Sequence, residues 1–140
     1  MKKVLLAAVL VAAACGFLLR PSILRAQGTG GGYRDLSPSE ARELIGKRSG
    51  DPGFVLLDVR TRKEFEDERI EGAVLVDFLS PTFRDEIAKL DRGKTYIVYC
   101  RTGSRTKGAL KAMLELGFKD LFHLDGGITK WKEAGFPAAR

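Results

Sequence analysis

The residues of this chain best equipped to do chemistry stand in one hexapeptide, Cys100-Arg101-Thr102-Gly103-Ser104-Arg105. A short apolar run enters it, and apolar residues at helical spacing leave it. A chain that passes from strand to helix in so few residues must curl back on itself, and Gly103 can take the positive φ angle such a turn needs. Backbone N–H groups in a turn of this kind converge on an anion, and the following helix points the positive end of its dipole at the same place. Arg101 and Arg105 add full charges. All of these favour thiolate over thiol, so the pKa of Cys100 is expected to fall from about 8.5 into the activated range of roughly 3.5 to 7.5. A fall of two units would be worth about 2.7 kcal/mol. The pattern therefore describes a nucleophilic sulfur beside a bound anion. A cysteine that ends a buried strand can also be a plain core hydrophobe, and loop arginines can simply be solvated. The glycine, with a strand before it and a helix after it, favours the chemical reading.

The elements that must position this loop can be read along the chain. "SPSEARELIG" carries Ser37 as N-cap, Pro38 at the first helical position and Glu40 closing a capping box, with Ala41, Leu44 and Ile45 as the inward stripe. Residues 54–59 form a nearly continuous apolar run, as expected of a strand covered on both faces. Thr61 and Glu64 form a second capping box, which predicts a short helix, and "GAVLVD" is a second apolar run. Ser80 and Pro81 are expected to open a helix with Phe83, Ile87 and Leu90 inward. Residues 95–99 read as the third buried strand. Ala109, Leu110, Met113 and Leu114 mark the next helix, which Gly117 is placed to end. "LFHLDGG" gives a last strand, and residues 128–134 a closing helix containing Trp131. Alternating strands and helices imply right-handed crossovers and a mainly parallel sheet with helices on both faces. Ligands of such sheets bind beyond the carboxyl ends of the strands, which is where Cys100 falls.

The chain's 140 residues allow one domain, and 44% apolar with 30% charged residues is ordinary for a globular protein. The net charge of +6 does not mark a nucleic-acid binder. Four of the 24 basic residues, Lys2, Lys3, Arg20 and Arg25, belong to a leader without acids, so that from Gln27 onward the balance is +2. No run of basic residues interleaved with aromatics supports nucleic-acid binding either. Lys2 and Lys3 followed by the apolar residues 4–19 read as an export signal, somewhat short for a membrane span. Residues 1–26 are thus expected to be a signal peptide or membrane anchor, 27–32 a glycine-rich tether and 33–140 the folded domain. Three endings compete: a cut after Ala26, a cut after Ala14 that leaves Cys15 first and lipidated, or an uncleaved anchor. The domain is accordingly expected to be exported to the periplasm, with any membrane contact made through the leader. With Cys15 in the leader, Cys100 is the domain's one thiol, which an oxidising compartment would tolerate only if buried and inert or kept for chemistry.

"LLDVRTRKEFEDERIEGAVLVD" and "YIVYCRTGSRTKGALKAMLELGFKDLFHLDGGITKWKEAGFP" together resemble the two signatures of the rhodanese family of sulfurtransferases. The resemblance covers residues 33–137. It implies a five-stranded parallel sheet between helices, Cys100 as the catalytic residue that takes up a sulfane sulfur as a persulfide, and residues Arg101, Thr102, Gly103, Ser104 and Arg105 as the substrate-binding cradle. It implies small sulfur-containing anions such as thiosulfate as donors, with cyanide, thiols or a protein cysteine as acceptors. No metal or organic cofactor is implied. Asp58 and Arg60 match the family pattern and are read as a brace for the loop, although spacing alone allows a solvated surface pair. The chain departs from the family at "ERIEGA", where Arg69 and Glu71 stand in a stretch that commonly reads "GHIPGA"; that histidine is generally structural. His123, alone in an apolar run, is expected to be a strand residue with a satisfied ring rather than a catalyst. Two rivals remain. A cysteine phosphatase or arsenate reductase would separate cysteine from arginine by five residues, whereas four separate Cys100 from Arg105. A relay or sulfide-sensing module would share the chemistry of Cys100 without turning over.

Overall fold

The computed structural model describes residues 32–140. The leader and nearly all of the glycine-rich tether lie outside the described residues. Ten elements alternate along the chain: β1 Arg34–Leu36, α1 Pro38–Lys47, β2 Phe54–Asp58, α2 Arg62–Asp67, β3 Val74–Leu75, α3 Phe83–Ala88, β4 Thr95–Tyr99, α4 Ser104–Glu115, β5 Leu121–Leu124 and α5 Gly127–Glu133. The strands form one sheet in the order β1-β5-β4-β2-β3, and every pairing is parallel. The expected fold class is therefore met. The central strand, β4, is buried at all five positions. Its side chains alternate: Tyr96 and Val98 face a core with Phe83, Ile87, Leu110 and Met113 of α3 and α4. Ile97 and Tyr99 face a second core with Ala41, Ile128 and Trp131 of α1 and α5. Cys100, one residue beyond the strand, continues this alternation on the α4 side.

Both capping boxes form as read. Ser37 accepts from the Glu40 N–H at 3.3 Å while the Glu40 carboxylate receives the Ser37 N–H at 2.8 Å. Thr61 and Glu64 do the same at 3.3 and 3.0 Å. Other boundaries differ from expectation. The third helix begins at Phe83 rather than at Ser80 and Pro81, because Ser80 spends its hydroxyl on the Thr82 N–H and side chain in a preceding turn. "GAVLVD" contributes only Val74 and Leu75 to the ladder, and the last strand stops at Leu124, where Gly126 and Gly127 turn left-handed to open α5. The first strand was not expected from the sequence. It is three residues long, lies at the sheet edge beside β5 and buries only Leu36.

Asp58 and Arg60 are no surface pair. Asp58 is fully buried and Arg60 is 3% exposed. The guanidinium Nη2 donates to Asp58 Oδ2 at 2.7 Å and to the Glu68 carbonyl at 2.6 Å, and Nε bridges both carboxylate oxygens at 3.0 and 3.1 Å. The Asp58 carboxylate overcomes the opposing effect of burial and raises the pKa of Arg60. This clamp closes the turn from β2 into α2 and lies against Tyr99, whose ring centre is 5.7 Å from the guanidinium carbon. The clamp thereby touches the strand residue just before the cysteine. Removing one member of a buried pair leaves the other charge uncompensated, at roughly 3–5 kcal/mol. Asp58→Ala is expected to lose stability of that order in urea unfolding; an unchanged midpoint would show that the Glu68 carbonyl and solvent satisfy Arg60 without its partner.

Candidate active site

The loop from Cys100 to Arg105 is the turn between the end of β4 and the start of α4. Gly103 is the N-cap of α4 with φ of +115°, so the left-handed turn expected there is present. Its N–H points inward and donates to Cys100 Sγ at 3.0 Å. The other side of the loop is pinned by α5. The Ile128 and Thr129 N–H groups donate to the Cys100 and Arg101 carbonyls at 3.0 and 3.1 Å. Gly127 makes this approach possible, since a Cβ there would lie 2.5 Å from the Arg101 carbonyl oxygen and closer still to that of Cys100. The first turn of α5 thus clamps the loop's carbonyls, with Gly127 permitting the approach, while the Gly103 N–H faces the sulfur.

Cys100 has no accessible surface, and burial alone would push its thiol pKa up. The net shift is nevertheless downward. Against burial stand the Thr106 side chain and the backbone N–H groups of Thr106, Gly103 and Thr102. Thr106 is fully buried, and its hydroxyl is hydrogen-bonded to no described residue; it acts on the thiol by proximity, while the Gly103 N–H makes the hydrogen bond to Sγ. The reading of the sequence stopped at Arg105 and missed this residue. The signal was present: the position after Arg105 lies in the first turn of a helix that starts over the thiol.

The arginines behave differently from expectation. Arg105 is joined to Glu64 by two parallel hydrogen bonds, Nη1 to Oε2 at 2.7 Å and Nη2 to Oε1 at 2.9 Å. That pair ties α4 to α2 and holds the Glu64 carboxyl at about 2, far below its ordinary value. Arg105 does sense the charge of Cys100, which helps raise its own pKa, but its hydrogen bonds are spent on Glu64. Arg101 is exposed and its side chain forms no ion pair or hydrogen bond with the described residues; Thr102 and Ser104 are also exposed. Thiolate formation here thus rests on amides and a hydroxyl, with the guanidinium charges in a lesser role. A groove of about 490 Å³ adjoins the loop, lined by Arg60, Glu64, Glu68, Arg101, Thr129 and Lys132. A larger hollow of about 700 Å³, near Arg42, Phe54 and Trp131, contains neither Cys100 nor any loop residue, so size does not locate the chemistry.

The remaining residues singled out by sequence are peripheral to the sulfur. Arg69 donates to the Phe65 carbonyl at 3.2 Å, and its backbone pairs with Ala139. This serves the end of α2, a structural use of the position where the family pattern commonly has histidine. Glu71 is exposed. His123 is a buried residue of β5, as expected, but its ring is only half satisfied: Nδ1 meets Asp35 Oδ1 at 2.8 Å, while Nε2 is buried without a partner among the described residues.

With this geometry in hand, comparison with known proteins is informative. Residues 37–134 match the family model described as a rhodanese-like domain. The chain is 33% identical over 119 residues to a probable adenylyltransferase/sulfurtransferase, MoeZ, of Mycobacterium tuberculosis, a match that covers 84% of this chain but 28% of that protein. It is 32% identical over 100 residues to the thiosulfate sulfurtransferase GlpE of Coxiella burnetii, covering 71% of this chain and 88% of the relative. A tRNA uridine(34) hydroxylase of Kocuria rhizophila is 34% identical over 123 residues, covering 81% of this chain and 40% of the relative. The chain therefore spans well under two thirds of two of these three proteins. Among solved structures, a rhodanese-related protein from Thermoplasma volcanium superimposes with a TM-score of 0.65 at 27% identity, covering 76% of this chain and 98% of that one.

Two outcomes follow from the electrostatics. Thr106→Val is expected to raise the midpoint of Cys100 ionisation, followed by thiolate absorbance, by about one unit, as for the loss of a charge-assisted hydrogen bond. Arg105→Ala should move it less; the reverse order would return the leading role to the guanidinium. For Glu64, the folded pKa of about 2 lies below the ordinary carboxyl value of 4.5. The Arg105 pair therefore stabilises the fold above pH 4.5 and loses that contribution as pH falls through 2. Glu64→Gln is expected to cost about 2 kcal/mol near neutrality, after allowance for partial solvent access. The gap from wild type should close toward pH 2, and a gap that stays constant with pH would rule out the linkage.

Proposed function

The chain belongs to the rhodanese-like family, and from that premise we propose that it is a sulfurtransferase that carries a sulfane sulfur on Cys100. The observation that carries the reading is a thiol with no exposed surface whose pKa is nonetheless lowered, by three backbone amides and a threonine hydroxyl. An inert core cysteine would shift the other way. In the first half-reaction the Cys100 thiolate attacks the outer sulfur of a donor such as thiosulfate. The new S–S bond forms as the donor's S–S bond breaks, and sulfite departs with the bonding electron pair. In the second, a nucleophile such as cyanide or a thiol attacks the outer sulfur of the persulfide and restores the thiolate. This is double displacement through a covalent intermediate. The Thr102, Gly103 and Thr106 amides are the donors suited to hold the anionic sulfur in both halves. With the nucleophile already ionised, neither half requires a separate general base.

A second reading shares the chemistry of Cys100: a relay that loads one sulfur and passes it on without turnover, the exposed Arg101 beside the groove being suited to meet a docked partner. In this relay reading the acceptor is a protein thiol. We also propose that the leader exports the domain to the periplasm, the reading supported by Lys2, Lys3 and the apolar stretch that follows. A single thiol that forms no disulfide within the domain is compatible with that compartment.

Intact mass spectrometry of the mature protein after incubation with thiosulfate tests these readings together. A gain of one sulfur is expected, removed again by cyanide, while Cys100→Ser should gain none and retain its fold. Sulfur uptake by the serine variant would refute the assignment of Cys100. Steady-state thiosulfate:cyanide turnover then separates the two readings, since a relay loads once and stalls. The starting mass locates the end of the leader.

A further inference from the structure

His123 is a buried titratable side chain beside the loop for which the reaction above has no use. Three observations define its setting. First, β1 pairs with β5 so that Asp35 stands directly opposite His123, and the Asp35 carboxylate meets Nδ1 at 2.8 Å. A carboxylate can only accept, so Nδ1 carries the proton and the ring is held in one tautomer. Second, Tyr33 meets the ring edge-on with centroids 6.1 Å apart. Third, the far edge of the imidazole lies against the catalytic loop. A Cβ built on Gly103 would be 3.1 Å from Nε2 and 3.5 Å from Cε1, so the ring packs onto the Gly103 α-carbon. Among the described residues nothing donates to Nε2.

A residue needed only to fill this space would do better as leucine or phenylalanine, because a buried acceptor without a donor is destabilising. The ring is flat and rigid, and it is anchored at one edge by a carboxylate while the other edge abuts the glycine whose N–H bonds the sulfur at 3.0 Å. We propose that His123, anchored by Asp35, is a positioning residue that seats Gly103 so that its N–H stays directed at the Cys100 sulfur. The chain of contact runs from the edge strand through the imidazole and Gly103 to the sulfur, and it leaves little room for a side chain at Gly103, whose positive φ already favours glycine. This proposal rests on the sulfurtransferase reading for its consequence in turnover, but its geometric content concerns the thiolate alone.

The test measures thiolate ionisation, thiosulfate:cyanide kinetics and thermal stability in His123→Ala, Asp35→Ala and Asp35→Asn. With the ring removed or released, the ionisation midpoint of Cys100 is expected to rise by roughly one unit and kcat to fall about tenfold, as for a weakened hydrogen bond to an anion. KM should change little, since neither side chain reaches the groove. Asp35→Asn keeps an oxygen that can accept from Nδ1, and it should restore both readouts to within about twofold of wild type. Should His123→Ala fail to fold, Asp35→Ala, made at a side chain that is 39% exposed, carries the test. A fall in thermal stability with the thiolate midpoint unmoved would overturn the proposal and leave His123 a packing residue. If the wild type takes up no sulfur, the sulfurtransferase reading fails, yet the titrations still decide whether His123 positions the amide.

Discussion

The whole architecture serves one contest: a sulfur removed from water, where burial favours the neutral thiol, against a few N–H dipoles that favour the anion. The dipoles prevail because they are fixed before the charge arrives. Strand β4 delivers Cys100 to the middle of the sheet's carboxyl edge, α4 starts over it, and α5 pins the intervening carbonyls from the outside. An amide that must reorient to meet a charge gives back much of what it gains, whereas one held by a helix cap and a second helix does not. Packing elsewhere in the molecule is ordinary, and it is the rigidity of these three attachments that turns a common αβ sandwich into a site.

The placement of formal charge follows from the same logic. Arg105 stands five positions past the cysteine yet bonds to Glu64, and Arg60 is buried against Asp58. Arg105 thereby joins the start of α4 to α2, and Arg60 joins the end of β2 to the residue after α2, which fixes the loop's surroundings without flooding the cradle with positive charge. Arg101 alone among the loop's cations is left exposed at the groove beside it. The division is chemically sensible: the sulfur anion is served by neutral donors that survive desolvation well, while an exposed arginine stands outside at the groove.

The parts of this arrangement legible in the sequence are those encoded locally. Ser37 with Glu40 and Thr61 with Glu64 announce their helices because capping is a three-residue affair, and Gly103 announces its turn because only glycine is comfortable there. What depends on partners far along the chain was not legible. Glu64 reads as a capping residue and gives no hint of Arg105, 41 positions away. The i, i+2 spacing of Asp58 and Arg60 fits an exposed pair as well as the buried clamp it is. Strand β1 has too few apolar residues to show a period, being an edge strand with a single buried side chain. His123 looked satisfied because nothing in "LFHL" reveals that one ring nitrogen faces a glycine.

The size of the loop and the occupation of Arg105 bear jointly on the rival chemistry of oxyanion esters. A phosphatase-type cradle must surround a tetrahedral dianion, and it needs a guanidinium free to bind two of its oxygens in parallel. Here four residues rather than five close the ring, and the one guanidinium in position already has both of its parallel bonds taken by Glu64. Opening that pair would also uncouple α4 from α2. A persulfide asks much less of the same loop: its outer sulfur lies roughly 2 Å beyond Sγ, the length of an S–S bond, and carries one negative charge. The added atom can remain within reach of amides that already serve the thiolate, so loading the sulfur does not require the cradle to be rebuilt around it. That economy is why the geometry favours transfer of a single sulfur over hydrolysis of an oxyanion.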